Sequence, residues 1–247
     1  MSDIDNYRRR FMTGVVGVAA TVSLPAGLLF WQTAEGKSND DAGLASAKTR
    51  WGMLIDTTKC ATGCDACVRG CDQENGLSGK TSPTSPQWIR KVQVSNPSTG
   101  NGFSLPMMCQ HCEEPPCVDV CPTGASFKRA DGIVLVDRHI CIGCRYCMMA
   151  CPYKARSFIH QPVTDQLAEV PRGQGCVESC TFCVQRIDEG KTTTACQDAC
   201  NAEGHQAIYF GDLKDPNSEI SKQLAQYSSQ EVLPNLDLHT GVRYQGI

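Results

Sequence analysis

The sequence predicts a loop-rich α+β protein made of two modules, one inserted into the other. Three observations carry this expectation. Sixteen of the 17 cysteines in 247 residues fall into four runs. The apolar stretches between the runs are short. Aromatic residues make up only 6% of the chain, so the ordinary core is small, and something bound to the cysteines is expected to supply part of it. The length and the 41% hydrophobic content suffice for one or two compact domains. The net charge of -3 gives no reason to expect a nucleic-acid surface.

The N-terminal segment, residues 1–47, reads as a twin-arginine export signal. Arg8, Arg9 and Arg10 precede Phe11 and Met12, and no charge follows until after Ala34. Gly, Ala and Pro25 keep the segment only mildly apolar, which suits a signal better than a membrane anchor. Ala45-Ser46-Ala47 is a candidate cleavage site; a retained single-span anchor is the other reading. The twin-arginine route carries folded proteins, as a chain that takes up metal before export requires.

The first run, CATGCDACVRGC, holds Cys60, Cys64, Cys67 and Cys71. The second, CQHCEEPPCVDVCP, holds Cys109, Cys112, Cys117 and Cys121. The third, CIGCRYCMMACP, holds Cys141, Cys144, Cys147 and Cys151. The fourth, CTFCVQRIDEGKTTTACQDAC, holds Cys180, Cys183, Cys196 and Cys200. Disulfides are the first thought for an exported chain. Cysteines two residues apart on a turn rarely have the geometry to bond each other, however. Zinc sites normally use two C-x2-C knuckles separated by a loop. The third run is C-x2-C-x2-C-x3-C-P, the bacterial-ferredoxin pattern for a [4Fe-4S] cluster. Three cysteines take one cluster, the fourth crosses to the neighbouring cluster, and the proline ends the helix begun inside the run. A non-redox zinc or disulfide protein remains the remote alternative.

Runs two and three therefore pair as Cys109, Cys112, Cys117 with Cys151, and Cys141, Cys144, Cys147 with Cys121. An Asp131-Gly132 turn and an apolar strand, Ile133 to Val136, lie between them. This module spans residues 100–165. Runs one and four are each other's remaining partners: Cys60, Cys64, Cys67 with Cys200, and Cys180, Cys183, Cys196 with Cys71. Their module is split into residues 48–99 and 166–215, followed by a tail, 216–247. Four clusters are expected, or three if the extra residue in the C-x3-C opening of run one abolishes the first.

In this order the runs resemble the four-cluster electron-transfer subunits that accompany molybdenum oxidoreductases and quinone-linked membrane complexes. MLIDTTKC, CQHCEEPPCVDVCPTGASFKRADGIVLVD, CIGCRYCMMACPYKARSF, SCTFCVQRIDEG and FGDLKDPNSEI carry the likeness, from about Arg50 to Pro216. The arginine-rich leader, RYCMMACPYKARSF and DPNSEI are most similar to the DsrO family, the periplasmic iron–sulfur subunits of DsrMKJOP complexes of sulfur metabolism. The iron–sulfur subunits of tetrathionate or polysulfide reductases are the alternative. The resemblance implies an electron-transfer subunit without catalytic residues. It implies two partners, a polytopic quinone-interacting membrane subunit and a periplasmic c-type cytochrome.

Other positions have plainer readings. Cys176 reads as a free buried thiol, or else a spare ligand for run four. His111 reads as a hydrogen-bonding group near a cluster rather than a ligand. Lys128, Lys154 and Arg156 read as solvated surface charge, with compensation of cluster charge as the other possibility. Trp88 to Val94 and Ala207 to Phe210 read as strands. Asp215-Pro216 reads as the start of a helix reaching Gln226. Residues 72–106 are expected to form a surface insertion loop, and the last thirty residues to wrap a partner. No phosphate loop, nucleophile elbow or haem motif occurs.

Overall fold

A computed structural model describes residues 45–77, 82–95, 97, 98, 100, 102–164 and 166–247. The leader lies outside the described residues up to residue 44. Along the chain run β1 (Trp51–Asp56), α1 (Ala66–Glu74), β2 (Arg90–Ser95), β3 (Gly102–Met107) and α2 (Pro116–Asp119). Then come β4 (Ser126–Lys128), β5 (Val134–Val136), α3 (Tyr146–Ala150), β6 (Ser157–Phe158), β7 (Val177–Glu178) and α4 (Val184–Asp188). The series ends with α5 (Ala195–Ala202), β8 (Ile208–Asp212), α6 (Glu219–Gln226) and β9 (Val242–Gln245). These are short helices and small sheets, a mixed α and β architecture. Among the described residues no helix is long and apolar enough to cross a membrane.

The largest sheet has the order β8-β1-β9, with β8 antiparallel and β9 parallel to β1. β1 is central because it is apolar along most of its length: Met53, Leu54 and Ile55 are all buried. β2 pairs with β3, β4 with β5, and β6 with β7, each pair antiparallel. The Asp131-Gly132 turn forms as the sequence suggests. Gly132 has φ +85°, and Asp131 Oδ1 accepts from the Ile133 N–H at 3.3 Å.

The helices are too short to be stable alone and depend on packing. α1 lies against α5, and α2 against α3. Gly70 permits the first contact: a Cβ there would fall 2.6 Å from the Ala199 Cβ and 2.8 Å from the Ala195 carbonyl oxygen. Pro116 starts α2, its fixed φ suiting the first turn. α3 stops at Cys151, which is extended at ψ 112° because Pro152 follows.

Three expectations need correction. Residues 72–106 do not form a loop alone: they contain most of the β2–β3 hairpin, which crosses the expected boundary at 99/100 and is preceded by buried Trp88 and Ile89. The segment 216–247 is no free tail. β9 completes the main sheet, and the Tyr244 hydroxyl donates to the Pro106 carbonyl at 3.0 Å. The last helix starts at Glu219, capped by Ser218, whose hydroxyl accepts from the Ser221 N–H at 3.2 Å. Asp215 instead closes a turn before it, accepting from the Asn217 N–H at 2.9 Å.

A buried ion pair lies in the segment before run four, and its arginine also reaches the segment after run one. Arg172 Nε and Nη2 meet Glu178 Oε2 and Oε1 at 3.0 and 2.7 Å, with side chains 8% and 0% exposed. Arg172 also donates to the Gly76 carbonyl. Removing one partner leaves an uncompensated buried charge. Arg172→Met is expected to destabilise the protein by roughly 3–5 kcal/mol in chemical unfolding. Arg172→Met with Glu178→Leu should recover most of that loss. A single variant as stable as the parent would show that the pair contributes nothing.

Candidate metal centres

The structure gathers the sixteen cysteines of the four runs into four groups, each drawing on two runs. A cavity is lined by Cys60, Cys64, Cys67 and Cys200. Another is lined by Cys121, Cys141, Cys144 and Cys147. Electrostatic neighbours define the other two. Burial pushes the Cys112 thiol up to about 12, and nearby Cys109, Cys117 and Cys151 push the same way. Burial likewise raises Cys71, with Cys180, Cys196 and Cys183 as its thiol neighbours. In every group three thiols come from one run and the fourth from its partner run.

Electrostatic neighbours link the groups in sequence. The Cys67 thiol of the first group raises Cys196 of the second. Cys109 of the third raises Cys180, and Cys147 of the fourth raises Cys117. Burial follows the same order. All eight cysteines of the two inner groups are buried. The outer groups reach the surface: Cys60, Cys64, Cys121 and Cys141 are half-buried, and Cys144 is exposed.

The thiols are not joined to each other: all 17 cysteines are free. Among the described residues no three His, Cys, Asp or Glu side chains close on a point that could hold one metal ion. Each group offers four thiols drawn from two runs, a donor set that fits a [4Fe-4S] cluster.

The loops that present the thiols share one backbone device. The residue before the second cysteine of each run is left-handed: Gly63 at φ +79°, His111 at 44°, Gly143 at 69° and Phe182 at 54°. This turn aims backbone N–H groups and thiols into one concavity. Non-glycine residues hold it only where the surroundings over-determine them. His111 and Phe182 meet that condition by stacking on each other, ring centroids 3.7 Å apart. Gly143 is required, since a Cβ there would lie 2.2 Å from the Gly175 carbonyl oxygen. In run one the extra residue lies before the turn, and Gly63 keeps the geometry of the other three. Lys91 on β2 braces the enlarged loop. Its Nζ donates to the Ala61 carbonyl at 3.2 Å and to the Cys64 carbonyl. Burial raises Cys60 to about 11 and Cys67 to about 12, and the Lys91 charge opposes both shifts.

The fourth cysteine of every run receives an N–H. Asn75 Nδ2 donates to Cys71 Sγ at 3.6 Å, and Ser126 N to Cys121 at 3.3 Å. Ala155 N donates to Cys151 at 3.5 Å, and Ala207 N to Cys200 at 3.4 Å. At Cys121 burial raises the pKa, but the hydrogen bonds from Ser126 and Thr123 outweigh it and lower the thiol below its ordinary value.

The remaining candidates separate. His111 is fully buried. Its Nδ1 accepts from the Val134 N–H at 3.0 Å, which leaves the proton on Nε2. Burial, reinforced by Arg50 and Arg156, holds its pKa well below the usual value, so the ring is neutral. Cys176 is buried but lies beside Cys141, not in run four, and its thiol donates to the Arg138 carbonyl at 3.3 Å. Lys154 is exposed, as expected. Lys128 pairs with Glu113 at 2.6 Å. Arg156 corrects the expectation of surface charge: it is buried and donates to Cys117 Sγ at 3.1 Å.

A family described as a 4Fe-4S dicluster domain matches residues 101–213. The chain is 43% identical over 224 residues to the Hdr-like menaquinol oxidoreductase iron–sulfur subunit 1 of Archaeoglobus fulgidus, covering 80% of this chain and 83% of that protein. It is 38% identical over 226 residues to protein NrfC of Escherichia coli, covering 89% and 86%. It is 39% identical over 183 residues to a tetrathionate reductase subunit of Salmonella typhimurium, covering 74% and 66%. With its cysteines gathered in this way and these relatives across most of its length, the chain belongs to the family of [4Fe-4S] electron-transfer subunits of oxidoreductase complexes.

Proposed function

We propose that the chain is a periplasmic iron–sulfur subunit of the DsrO type, in a membrane-bound, quinone-linked complex of sulfur metabolism, and that it holds four [4Fe-4S] clusters. The observation that carries this is the burial gradient along the row: two enclosed cysteine groups flanked by two that reach the surface. Such a row suits one-electron exchange with a partner at each end. The clusters supply the redox chemistry. The chain's own residues hold them, exclude water and present N–H groups to sulfur.

The cluster-holding sets are Cys60, Cys64, Cys67 and Cys200; Cys71, Cys180, Cys183 and Cys196; Cys109, Cys112, Cys117 and Cys151; and Cys121, Cys141, Cys144 and Cys147. Runs one and four then form one module, within which the module of runs two and three is inserted. The packing of α1 on α5 and of α2 on α3 supports that division. The partners are a polytopic quinone-interacting membrane subunit and a periplasmic c-type cytochrome, reached after twin-arginine export. The Archaeoglobus relative, named a menaquinol oxidoreductase subunit, supports the quinone link. The Salmonella relative favours a second reading, the iron–sulfur subunit of a tetrathionate or polysulfide reductase. Purification of the native complex separates the two: a co-purifying c-type haem supports the first, a molybdenum cofactor the second.

Iron and acid-labile sulfide on anaerobically purified protein test the cluster count. About sixteen iron per chain is expected; zinc, or no metal, would overturn the reading. Cys151→Ser should damage the cluster of Cys109, Cys112 and Cys117 and spare that of Cys141, Cys144 and Cys147. Site-assigned EPR showing the reverse would sink the crossed pairing. Lys91→Met unbraces the enlarged loop of run one, and iron should fall toward about twelve per chain with the other three clusters retained. An unchanged iron content would show that the loop holds its cluster without the brace.

A further inference from the structure

Arg156 is buried, although its place in the sequence resembles that of an ordinary surface charge. It is 5% exposed. Nη2 donates to Cys117 Sγ at 3.1 Å, while Nε and Nη1 have no protein partner. The acidic groups facing it are the thiols of Cys117, Cys109 and Cys147, and Cys147 lies within hydrogen-bonding reach. Cys117 and Cys109 belong to the third cysteine group, Cys147 to the fourth. A guanidinium taken out of water without a carboxylate, and with two of its three nitrogens unpaired, is a large cost. An anionic centre on each side, rich in sulfur acceptors, removes that cost.

From this juxtaposition we infer that Arg156 is a shared electrostatic clamp between the third and fourth clusters. It binds the Cys117 and Cys147 thiolates and offers its other N–H groups to cluster sulfurs. The inference rests on the four-cluster reading and goes beyond it, since it couples two redox centres through one side chain. A fixed positive charge favours the more negative, reduced state of whatever it contacts. Arg156 therefore raises the reduction potentials of both neighbours together and leaves the first two clusters unaffected. Its planar fork can reach two centres at once, whereas an ammonium acts as a point charge.

The test is an EPR-monitored redox titration of the intact complex carrying Arg156→Gln or Arg156→Lys, with iron and sulfide measured on the same samples. In Arg156→Gln both neighbouring clusters should shift to lower potential, by roughly tenfold or more in the reduced-to-oxidised ratio at a fixed potential, the size of one lost charge-assisted hydrogen bond. The first two clusters should not move. Arg156→Lys should keep all four clusters and restore part of the shift, unequally at the two sites. If Arg156→Gln loses iron, the lysine variant decides alone: a lowered potential at one neighbour or both supports the clamp, and parental potentials at both overturn it. With iron retained in Arg156→Gln, unmoved potentials, movement at one neighbour only, or equal shifts at all four clusters overturn the clamp. Iron in the parent protein tests the underlying reading separately. About sixteen iron with unmoved potentials sinks only the clamp, whereas a parent lacking the third or fourth cluster sinks both.

Discussion

The constraint on which the rest of the structure depends is the convergence of thiols from distant runs. Cys60 and Cys200 stand 140 positions apart and line the same cavity. No disulfide holds such groups together, and neighbouring buried thiols push one another's ionisation up. In the proposed function thiolate–metal bonds hold them, and in small metal-stapled domains that binding free energy is folding free energy. The short helices, two-residue strands and sparse aromatics are then understandable. α1, α2, α3 and α5 each carry cysteines of a run, so they are anchored at the sites and need little intrinsic stability. Export as a folded protein is the natural complement in the proposed function, because folding and loading are one event.

Within each site the backbone does the aiming. A left-handed residue before the second cysteine recurs in all four runs, whatever the side chain. This accounts for the tolerance of run one toward its extra residue. The insert falls upstream of Gly63, where the loop can swell without moving the turn that sets Cys64 and Cys67. The Lys91 ammonium is placed on the carbonyls that the swelling frees.

The cysteine spacing made the sites legible, because a three-residue repeat around a cubane is a local requirement that sequence records directly. The proposed crossed pairing rests on the same pattern, in which the fourth cysteine of a run serves its partner run's cluster. What stayed hidden depends on tertiary contact. His111 and Phe182 are left-handed without being glycine, because each is fixed by the other's ring. Arg156 looked like surface charge because its partners are sulfurs 9 to 47 positions away. Val242 to Gln245 carries no cysteine and reads as a tail, yet β1 needs a second neighbour to bury Met53 and Ile55. Cys176 sat in a run-like spacing, but its thiol lies beside Cys141 of the third run and donates to the Arg138 carbonyl.

Burial decides what each centre demands of its surroundings. In an enclosed site the added negative charge of reduction meets little water, so fixed donors must replace hydration. The second group has Asn75 Nδ2 on Cys71, the Ala195 N–H on Cys183 at 3.5 Å and the Thr194 hydroxyl beside Cys196 at 3.2 Å. The third group has the Ala155 N–H on Cys151 and the Arg156 guanidinium on Cys117. At the outer groups solvent does part of this work: the first has the Ala207 N–H on Cys200 with the Lys91 charge near Cys60, and the fourth has the Ser126 N–H and the Thr123 hydroxyl at Cys121. The enclosed groups rely on fixed donors alone, while the outer ones also meet solvent, as the proposed exchange with partners at each end requires.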